Sequence, residues 1–409
     1  MSAVRPVAPV DAIAGVLPKT VYTPASVLEA AQVVAETAAT NAPIAFVGGG
    51  TELELGAPPR ALEAVVETTQ LGRIVEYAPD DMVITAEAGL PLARLQQAVA
   101  AHRQQLALDP PLPERSTVGG LVATNAFGPR RARYGSIKDL IIGATLILED
   151  GTLARGGGKV VKNVAGFDLP KLSCGSLGTL GMIGTATFRL HPLPEASESV
   201  VVPRQSAEGV RALVAAAREA QLEPTACVAF HRGEHWDVLF RFEGFAPGLK
   251  QQIEHLTAVA RRGKAPCELL EGAAAEKLWA EHDQLRTAGG LRLKFTGLAS
   301  QLPSIQPEWL APLLRVLSGG RAVWYATLGI GFVSGEVVDL EQTSKALQSF
   351  RAALVARGGS LVLTAAPTAL RAQVDVWGPT ASAFRLMRQI KNKFDPKARL
   401  NPGRFLGGL

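Results

Sequence analysis

Glycine-rich loops that follow short apolar strands are the feature that most restricts how this sequence can fold. The apolar run Ile44-Ala45-Phe46-Val47 leads directly into Gly48-Gly49-Gly50-Thr51. Further glycine clusters follow at Thr117-Val118-Gly119-Gly120 and at residues 175–181. Consecutive glycines let backbone N–H groups approach an anion without obstruction, and such groups form a concave nest for phosphate oxygens. The first cluster therefore indicates a phosphate-binding loop.

Each cluster taken alone also has a purely structural interpretation. The triple glycine suits a tight strand-to-loop turn, the second cluster a single bend, and the third a bulged hairpin. The first loop matches neither G-x-G-x-x-G nor the Walker A pattern, because no Gly-Lys-Ser/Thr follows it. Three such loops between residues 48 and 181 are nevertheless enough to line an extended ligand with a central pyrophosphate. A dinucleotide fits that description better than a mononucleotide or a sugar.

The rest of the chain alternates between strand-like and helical patterns, which predicts an α+β or an α/β fold. Thr23-Pro24 indicates a helix start, and His191-Pro192-Leu193-Pro194 indicates the end of a domain. We expect a loose N-terminal extension at 1–21, a first domain at 22–196 and a second α+β domain at 197–375. A C-terminal helix and tail follow at 376–409.

Charge and cysteine content exclude several classes of protein. The formal net charge of the chain is +5. Residues 385–409 contribute a net charge of +6, and the first 384 residues contribute −1. The isolated Cys174, Cys227 and Cys267 argue against a disulfide framework, an iron–sulfur site and a Cys-ligated zinc, and fit a reducing compartment. No apolar run reaches the roughly 18 residues of a membrane span. We expect a cytoplasmic protein.

The basic C-terminal segment has three interpretations. Its helix, with Phe384, Met387, Ile390 and Phe394 inward, can present an ordinary solvated face. Arg385, Arg388 and Lys391 can instead face an acidic partner, an anionic membrane or a bound pyrophosphate. Nucleic acid is the weakest interpretation, because no aromatic stacking platform accompanies the charges. We expect no nucleic-acid partner.

Two further residue groups have ordinary explanations. His231 and His235 are four residues apart, which suits a metal on a helix, but Gly233 and the flanking strand patterns predict a hairpin turn. Cys174 lies beside the third glycine loop, where a small packing residue is more common than a redox thiol. We therefore expect no metal site.

Taken together, the glycine clusters resemble the FAD-binding domain shared by relatives of vanillyl-alcohol oxidase and p-cresol methylhydroxylase (PCMH). The matching segments are Val47-Gly48-Gly49-Gly50-Thr51; Thr117-Val118-Gly119-Gly120 with Thr124-Asn125, Gly128 and Arg133-Tyr134-Gly135; Gly166-Phe167-Asp168-Leu169 with Gly175-Ser176-Leu177-Gly178-Thr179-Leu180-Gly181 and Ile183; and Lys391, Phe394-Asp395-Pro396 and Leu400-Asn401-Pro402-Gly403. Within the family, Lys162-Asn163-Val164-Ala165 followed by Gly166-Phe167-Asp168 is most similar to FAD-binding subunits of glycolate oxidase (glycolate dehydrogenase).

This resemblance implies a two-lobed PCMH-type FAD-binding domain, a second α+β cap domain and a C-terminal segment that returns to the first. It implies a pyrophosphate site at Gly48, Gly49, Gly50 and Thr51, with the ribityl and isoalloxazine side at Thr117, Gly119, Gly120, Thr124 and Asn125. Thr179, Gly181 and Ile183 are expected at the adenosine half, and Gly128 and Gly175 complete the candidate set. Members of the family that link the flavin covalently carry a His or a Cys at the relevant loops. Because Glu52-Leu53-Glu54-Leu55 contains no His, the resemblance implies non-covalent FAD.

The implied activity is oxidation of glycolate, or of D-lactate, to the 2-keto acid. The implied partners are a larger flavoprotein subunit and an iron–sulfur subunit. Peripheral attachment to the inner membrane face through this complex stays open. A small 2-hydroxy-acid substrate would need a cationic clamp, for which Lys294 and Arg321 are candidates, and the sequence identifies no catalytic residue. In such a complex, the FAD of this chain either accepts the hydride or relays electrons while the partner does the chemistry. Two further alternatives remain open: a self-sufficient FAD enzyme for another hydroxy acid, polyol or sugar, and a non-catalytic structural subunit.

Overall fold

A computed structural model describes residues 3–158 and 166–409, so the motif residues 162–165 lie outside the described part. The described strands are β1 (Val4–Arg5), β2 (Thr20–Tyr22), β3 (Ile44–Val47), β4 (Ala64–Glu67), β5 (Ile74–Ala78), β6 (Val83–Glu87), β7 (Gln104–Gln105), β8 (Ile141–Ile147), β9 (Leu153–Gly157), β10 (Met182–Arg189), β11 (His191–Pro192), β12 (Ala196–Gln205), β13 (Ala226–Arg232), β14 (His235–Gly244), β15 (Glu268–Leu270), β16 (Leu291–Thr296), β17 (Leu317–Tyr325), β18 (Ile330–Val337) and β19 (Ser360–Ala365).

The described α-helices are α1 (Val27–Ala39), α2 (Leu92–Ala100), α3 (Val118–Thr124), α4 (Arg131–Tyr134), α5 (Ile137–Leu140), α6 (Leu169–Ser173), α7 (Ala207–Glu219), α8 (Ala246–Arg262), α9 (Ala273–Thr287), α10 (Leu302–Ile305), α11 (Ala311–Val316), α12 (Leu340–Ala356), α13 (Thr368–Arg371) and α14 (Phe384–Phe394). None of the described helices combines the length and the apolar character that crossing a membrane requires.

The chain divides into two compact units. The first comprises the described residues of Met1–Gly128, Gly135–Leu193 and Pro379–Leu409, and the second comprises Pro129–Tyr134 and Pro194–Gly378. Residues 129–134, expected in the first domain, therefore belong to the second unit. A buried ion pair between Arg130 and Glu243, 3.0 Å apart, is a physical reason for this difference.

The first sheet of the first unit has four strands in the order β1-β2-β4-β3, with β4 parallel to both β2 and β3. Helix α1 packs its buried face on this sheet. The expectation of a loose N-terminal extension is wrong, because β1 pairs with β2. In addition, Arg5 forms ion pairs with Asp11 and Glu67, and the hydrogen bonds from its guanidinium hold the pKa of Asp11 below its usual value.

The second sheet of the first unit is antiparallel, in the order β5-β6-β10-β8-β9, and α2 and α3 bury their apolar faces against it. The C-terminal segment adds to the first sheet beside β3. There the Ile44 N–H donates to the Arg399 carbonyl and the Asn401 N–H donates to the Ile44 carbonyl, both at 2.8 Å. The strand that leads into the triple glycine therefore has a neighbour on either side.

The second unit contains an antiparallel sheet of eight strands in the order β15-β12-β14-β13-β17-β18-β16-β19. Successive residues of a strand point to opposite faces. Val238, Phe240 and Trp324 lie on the face covered by α7, α8 and α12, which forms the core. Tyr325 and Phe332 lie on the opposite face, where α9 packs. The sequence-derived hairpin at residues 231–235 is confirmed by the pairing of β13 with β14.

Candidate functional site

The first glycine loop begins where β3 ends, and Gly48, Gly49, Gly50 and Thr51 all line a cavity in the first unit. Among the described residues, no hydrogen-bond partner is found for the backbone N–H groups of these four positions. Consecutive open N–H groups on a concave surface are a suitable environment for an anion. This arrangement supports the expected role of the loop in binding phosphate oxygens.

The glycines at positions 48 and 49 are also required by packing. A Cβ atom on Gly48 would lie 2.1 Å from the Thr117 side-chain oxygen, and one on Gly49 would lie 1.7 Å from the Arg115 carbonyl oxygen. Gly50 has φ = +70°, a conformation that glycine adopts without strain. The first loop is thus in close contact with the chain that enters the second cluster, which the single-turn interpretation did not anticipate.

The second cluster is the first turn of a helix rather than a simple bend. The Thr117 hydroxyl accepts a 3.4 Å hydrogen bond from the Gly120 N–H, which caps α3. The Gly119 N–H donates to the Ala88 carbonyl at 2.7 Å, and a Cβ on Gly119 would lie 2.7 Å from the Ala88 Cβ. Small residues therefore let α3 pack directly against the strand end at Ala88.

The third cluster connects α6 to β10, so it is not a bulged hairpin. Gly178 has φ = +69°, and a Cβ there would meet the Asn401 amide nitrogen at 2.6 Å and the Phe46 ring at 3.0 Å. The cluster thus packs against the end of β3 and against the C-terminal segment. Three separate parts of the sequence meet at one cavity.

Ten of the fourteen candidate residues line this cavity: Gly48, Gly49, Gly50, Thr51, Thr117, Gly119, Gly120, Thr124, Gly181 and Ile183. The other four do not. Asn125 ends α3 in the left-handed conformation, and a Cβ on Gly128 would lie 1.9 Å from the Asp109 carbonyl oxygen. Gly175 has φ = +77°, and the Thr179 hydroxyl donates to the Ser176 carbonyl at 2.7 Å. Each of these features is a backbone or packing requirement of the fold, and a cofactor role for the four residues stays a prediction.

The cavity also contains residues that sequence reasoning did not assign to it, notably Asn401 and Arg404. Arg404 is buried and donates to the carbonyl oxygens of Leu53 and Leu55, so it holds the chain that follows the first glycine loop. The ending Asn401-Pro402-Gly403 was the available signal, because it pointed to a segment that returns to the first domain.

The basic C-terminal segment is not a uniformly solvated face. Arg385, Arg388, Lys393 and Lys397 are exposed, whereas Lys391, Arg399 and Arg404 are buried. Lys391 donates to the carbonyls of Thr179 and Leu400 at 2.8 and 3.0 Å and pairs with Asp395, while burial lowers its pKa. The expectation that the apolar residues form the inward face of α14 is only partly correct, because its one fully buried side chain is Lys391.

Comparison with known proteins identifies the family to which this chain belongs. The sequence profile of an FAD binding domain matches residues 18–157. Glycolate oxidase subunit GlcE of Escherichia coli K12 is 30% identical over 372 residues, which cover 90% of this chain and 93% of that protein. The chain belongs to the PCMH-type FAD-dependent oxidoreductases. FAD is therefore its cofactor, as the resemblance implied.

Other members of the PCMH-type family are similar over different lengths. D-lactate dehydrogenase of Archaeoglobus fulgidus is 29% identical, covering 90% of this chain and 86% of that protein. Glycolate oxidase subunit GlcD of Bacillus subtilis is 31% identical over 185 residues, or 45% of this chain and 39% of that protein. A solved alkyldihydroxyacetonephosphate synthase superposes with a TM-score of 0.72 at 19% identity, covering 95% of this chain and 78% of that one. The α+β, PCMH-type fold is thereby confirmed.

The second unit of this chain has a cluster of polar side chains on the sheet face against which α9 packs. His282 is buried, with Nε2 2.7 Å from the Tyr325 hydroxyl and Nδ1 2.8 Å from the Asp283 carboxylate. Arg286 stacks on the Phe332 ring, and its guanidinium also donates to the Tyr325 hydroxyl at 3.3 Å. Burial lowers the pKa of His282, so the folded protein favours the neutral imidazole.

Lys294 and Arg321, the candidate cations for a substrate carboxylate, lie on this same sheet face. Arg321 of β17 pairs with Ser334 of β18, which in turn pairs with Arg292 of β16. Directly opposite residues share a face, so the two arginines flank Ser334. The buried Ser334 hydroxyl and the Arg292 Nε have no hydrogen-bond partner among the described residues. The sequence alone could not predict that Arg321, Ser334 and Arg292 lie side by side, because their positions depend on the register between strands.

The remaining candidates have structural roles. His231 packs edge-on against Trp236, with ring centroids 4.9 Å apart, and burial lowers its pKa. Burial raises the pKa of the Cys174 thiol to about 12, which disfavours the reactive thiolate. Within residues 3–158 and 166–409, no group of three or more His, Cys, Asp and Glu residues is arranged to hold a metal.

Proposed function

We propose that this chain is the FAD-binding subunit of a complex that oxidises glycolate, or D-lactate, to the 2-keto acid. The observation that carries the proposal is the row of open N–H groups from Gly48 to Thr51 at the cavity of a PCMH-type FAD-binding unit. Bound FAD would supply either the acceptor for the hydride that leaves the substrate carbon or a relay for electrons within the complex.

In this proposal, different residues of the first unit bind different parts of FAD. Gly48, Gly49, Gly50 and Thr51 hold the pyrophosphate, because their N–H groups suit its oxygens. Thr117, Gly119, Gly120 and Thr124 line the ribityl and isoalloxazine side, while Gly181 and Ile183 line the adenosine half. The cavity-lining residues include no His or Cys within the described part of the chain, which supports non-covalent attachment.

The substrate class rests on the relatives and on the chemistry of the second unit. The names of the GlcE and D-lactate dehydrogenase relatives refer to small hydroxy acids. Such a substrate carries a carboxylate, and guanidinium groups recognise carboxylates through charge-assisted hydrogen bonds. We therefore propose Arg321 and Arg292, on either side of Ser334, as the carboxylate anchor, with Lys294 on the neighbouring row.

Action within a complex is favoured by the similarity to GlcE along nearly the whole chain, and by the more local similarity to GlcD. The proposed partners are a larger flavoprotein subunit and an iron–sulfur subunit, and the proposed location is the cytoplasm or the inner membrane face. The alternatives are a self-sufficient enzyme for another hydroxy acid, polyol or sugar, and a structural subunit without chemistry of its own.

Anaerobic spectroscopy distinguishes these possibilities. The chain is expressed alone and reconstituted with FAD, and its visible spectrum is recorded before and after addition of glycolate or D-lactate. The subunit proposal expects bound flavin that remains oxidised until the partner subunits are added. Bleaching by substrate alone would favour the self-sufficient enzyme. Flavin that stays oxidised in the fully assembled complex would favour the structural role.

A further inference from the structure

The second unit contains a cavity of about 410 Å³ that the proposed oxidation does not use. One wall is helix α7, and the floor consists of side chains that are at least nine-tenths buried, including Val210, Leu222, Phe240 and Ala326. Pockets that bind small molecules have volumes of roughly 300–1,000 Å³ and are mostly apolar. This cavity therefore has the size and lining of a ligand site.

The rim of this cavity differs from its floor because it is cationic. Arg133, Arg211 and Arg218 line the opening, and Glu223 is the only acidic residue among its described lining residues. Arg133 pairs with Glu223 at 2.7 Å, and Arg211 pairs with Glu208. Arg211 and Arg218 are seven residues apart on α7, or about 10 Å along its axis. The opening thus presents positive charge above an apolar floor.

We propose that this cavity binds an amphipathic monocarboxylate of the medium-chain fatty-acid type. The apolar chain lies against Val210, Leu222 and Phe240, where its burial removes hydrocarbon from water. The carboxylate lies at the rim, where Arg218 and Arg211 provide charge-assisted hydrogen bonds. Free fatty acids and the acyl chains of hydrolysed lipids share this chemistry.

Calorimetric titration of the full-length, FAD-loaded protein with hexanoate, octanoate and decanoate tests the proposal. Successive acids differ by two methylene groups, so the Kd should fall about fifteenfold at each step. Decanol should bind at least about tenfold more weakly than decanoate, because it lacks the charge that the arginines recognise. Titrations stay below the concentration at which light scattering detects micelles, and an intact lysolipid tests the acyl-chain source.

Two variants and one control locate the site. Ala215 is an exposed lining residue on α7, so Ala215→Trp fills the cavity without replacing a buried side chain and should abolish decanoate binding. Arg218→Gln should weaken binding about tenfold, whereas Arg262→Gln, an equal charge change on exposed α8, should not change it. Circular dichroism and flavin content verify folding. Binding independent of chain length, unchanged in Ala215→Trp, or equal in the two arginine variants would overturn the proposal.

Discussion

The two units form their candidate sites from different parts of the polypeptide. In the first unit, the cavity is lined by backbone N–H groups and by glycines that pack against neighbouring chain. In the second, the polar face is formed by long side chains, with Arg321, Ser334 and Arg292 brought together from three strands. The first site should therefore be sensitive to added atoms, and the second to removed functional groups.

The largest expected effect follows from adding one methyl group to the first site. The Cβ of Gly49→Ala would lie 1.7 Å from the Arg115 carbonyl oxygen, so the glycine loop must shift and its N–H groups lose their alignment. We expect loss of FAD from the purified protein, measured by flavin absorbance, and destabilisation by about 1–3 kcal/mol.

Gly248→Ala is the matched control for this change. Gly248 lies on α8 with nothing within 4 Å of its Cβ position, so alanine should be tolerated and FAD content unchanged. Full FAD content in a folded Gly49→Ala variant would refute the assigned role of the loop, and would remove the basis of the contrast between the units.

The same contrast explains what the sequence could predict. A glycine-rich loop after an apolar strand is a local pattern, so the sequence alone predicts a phosphate-binding role for Gly48 to Thr51, which the structure places at a cavity. A local signal can still be overlooked: α1 begins after Ser26, not Thr23, because Ser26 caps the Glu29 N–H while the Glu29 carboxylate accepts from the Ala25 N–H. The polar row around Ser334 depends on register across strands, which no local pattern specifies.

The next largest effect is expected from the C-terminal segment of the first unit. Lys391→Met leaves the buried Asp395 without its ion-pair partner and removes hydrogen bonds to Thr179 and Leu400. Breaking a buried pair typically costs about 3–5 kcal/mol. We expect the variant to release flavin at lower urea concentration, as followed by flavin fluorescence.

Lys393→Met, an exposed change on the same helix, should change the free energy of unfolding by less than about 0.5 kcal/mol and so leave the urea midpoint nearly unchanged. Equal behaviour of the two variants would show that Lys391 does not hold the segment in place. Sequence composition could not separate these two lysines, because burial depends on where α14 packs. The net charge of +6 therefore overstated the exposed charge of residues 385–409.

In the second unit, removal of one cation should affect the substrate rather than the cofactor. Arg321→Gln keeps hydrogen-bonding ability but removes the charge, so we expect the KM of the assembled complex for glycolate to rise about tenfold, the value of one charge-assisted hydrogen bond. FAD content should stay unchanged, and kcat should change less than KM. Arg315→Gln on α11, which is exposed, is the control. An unchanged KM would contradict the proposed carboxylate anchor.

The smallest effect concerns the pH dependence of stability in the second unit. Burial lowers the pKa of His282, so below about pH 6.5 the unfolded chain binds a proton that the folded chain excludes. Stability should therefore fall with decreasing pH, by up to about 1.4 kcal/mol per pH unit. Tryptophan fluorescence reports on this unit alone, because it contains all five tryptophans: Trp236, Trp279, Trp309, Trp324 and Trp377.

His282→Gln should flatten this dependence between about pH 7 and pH 5, while lowering stability at neutral pH because the contacts to Tyr325 and Asp283 change. His255→Gln, an exposed change on α8, should leave the pH profile as it is. The half-buried His231, whose pKa is also lowered, should keep part of the pH dependence of stability in place. If the stability of His282→Gln depended on pH as strongly as that of the unsubstituted protein, His282 would be protonated in the folded protein, with Tyr325 and Asp283 accepting hydrogen bonds from an imidazolium.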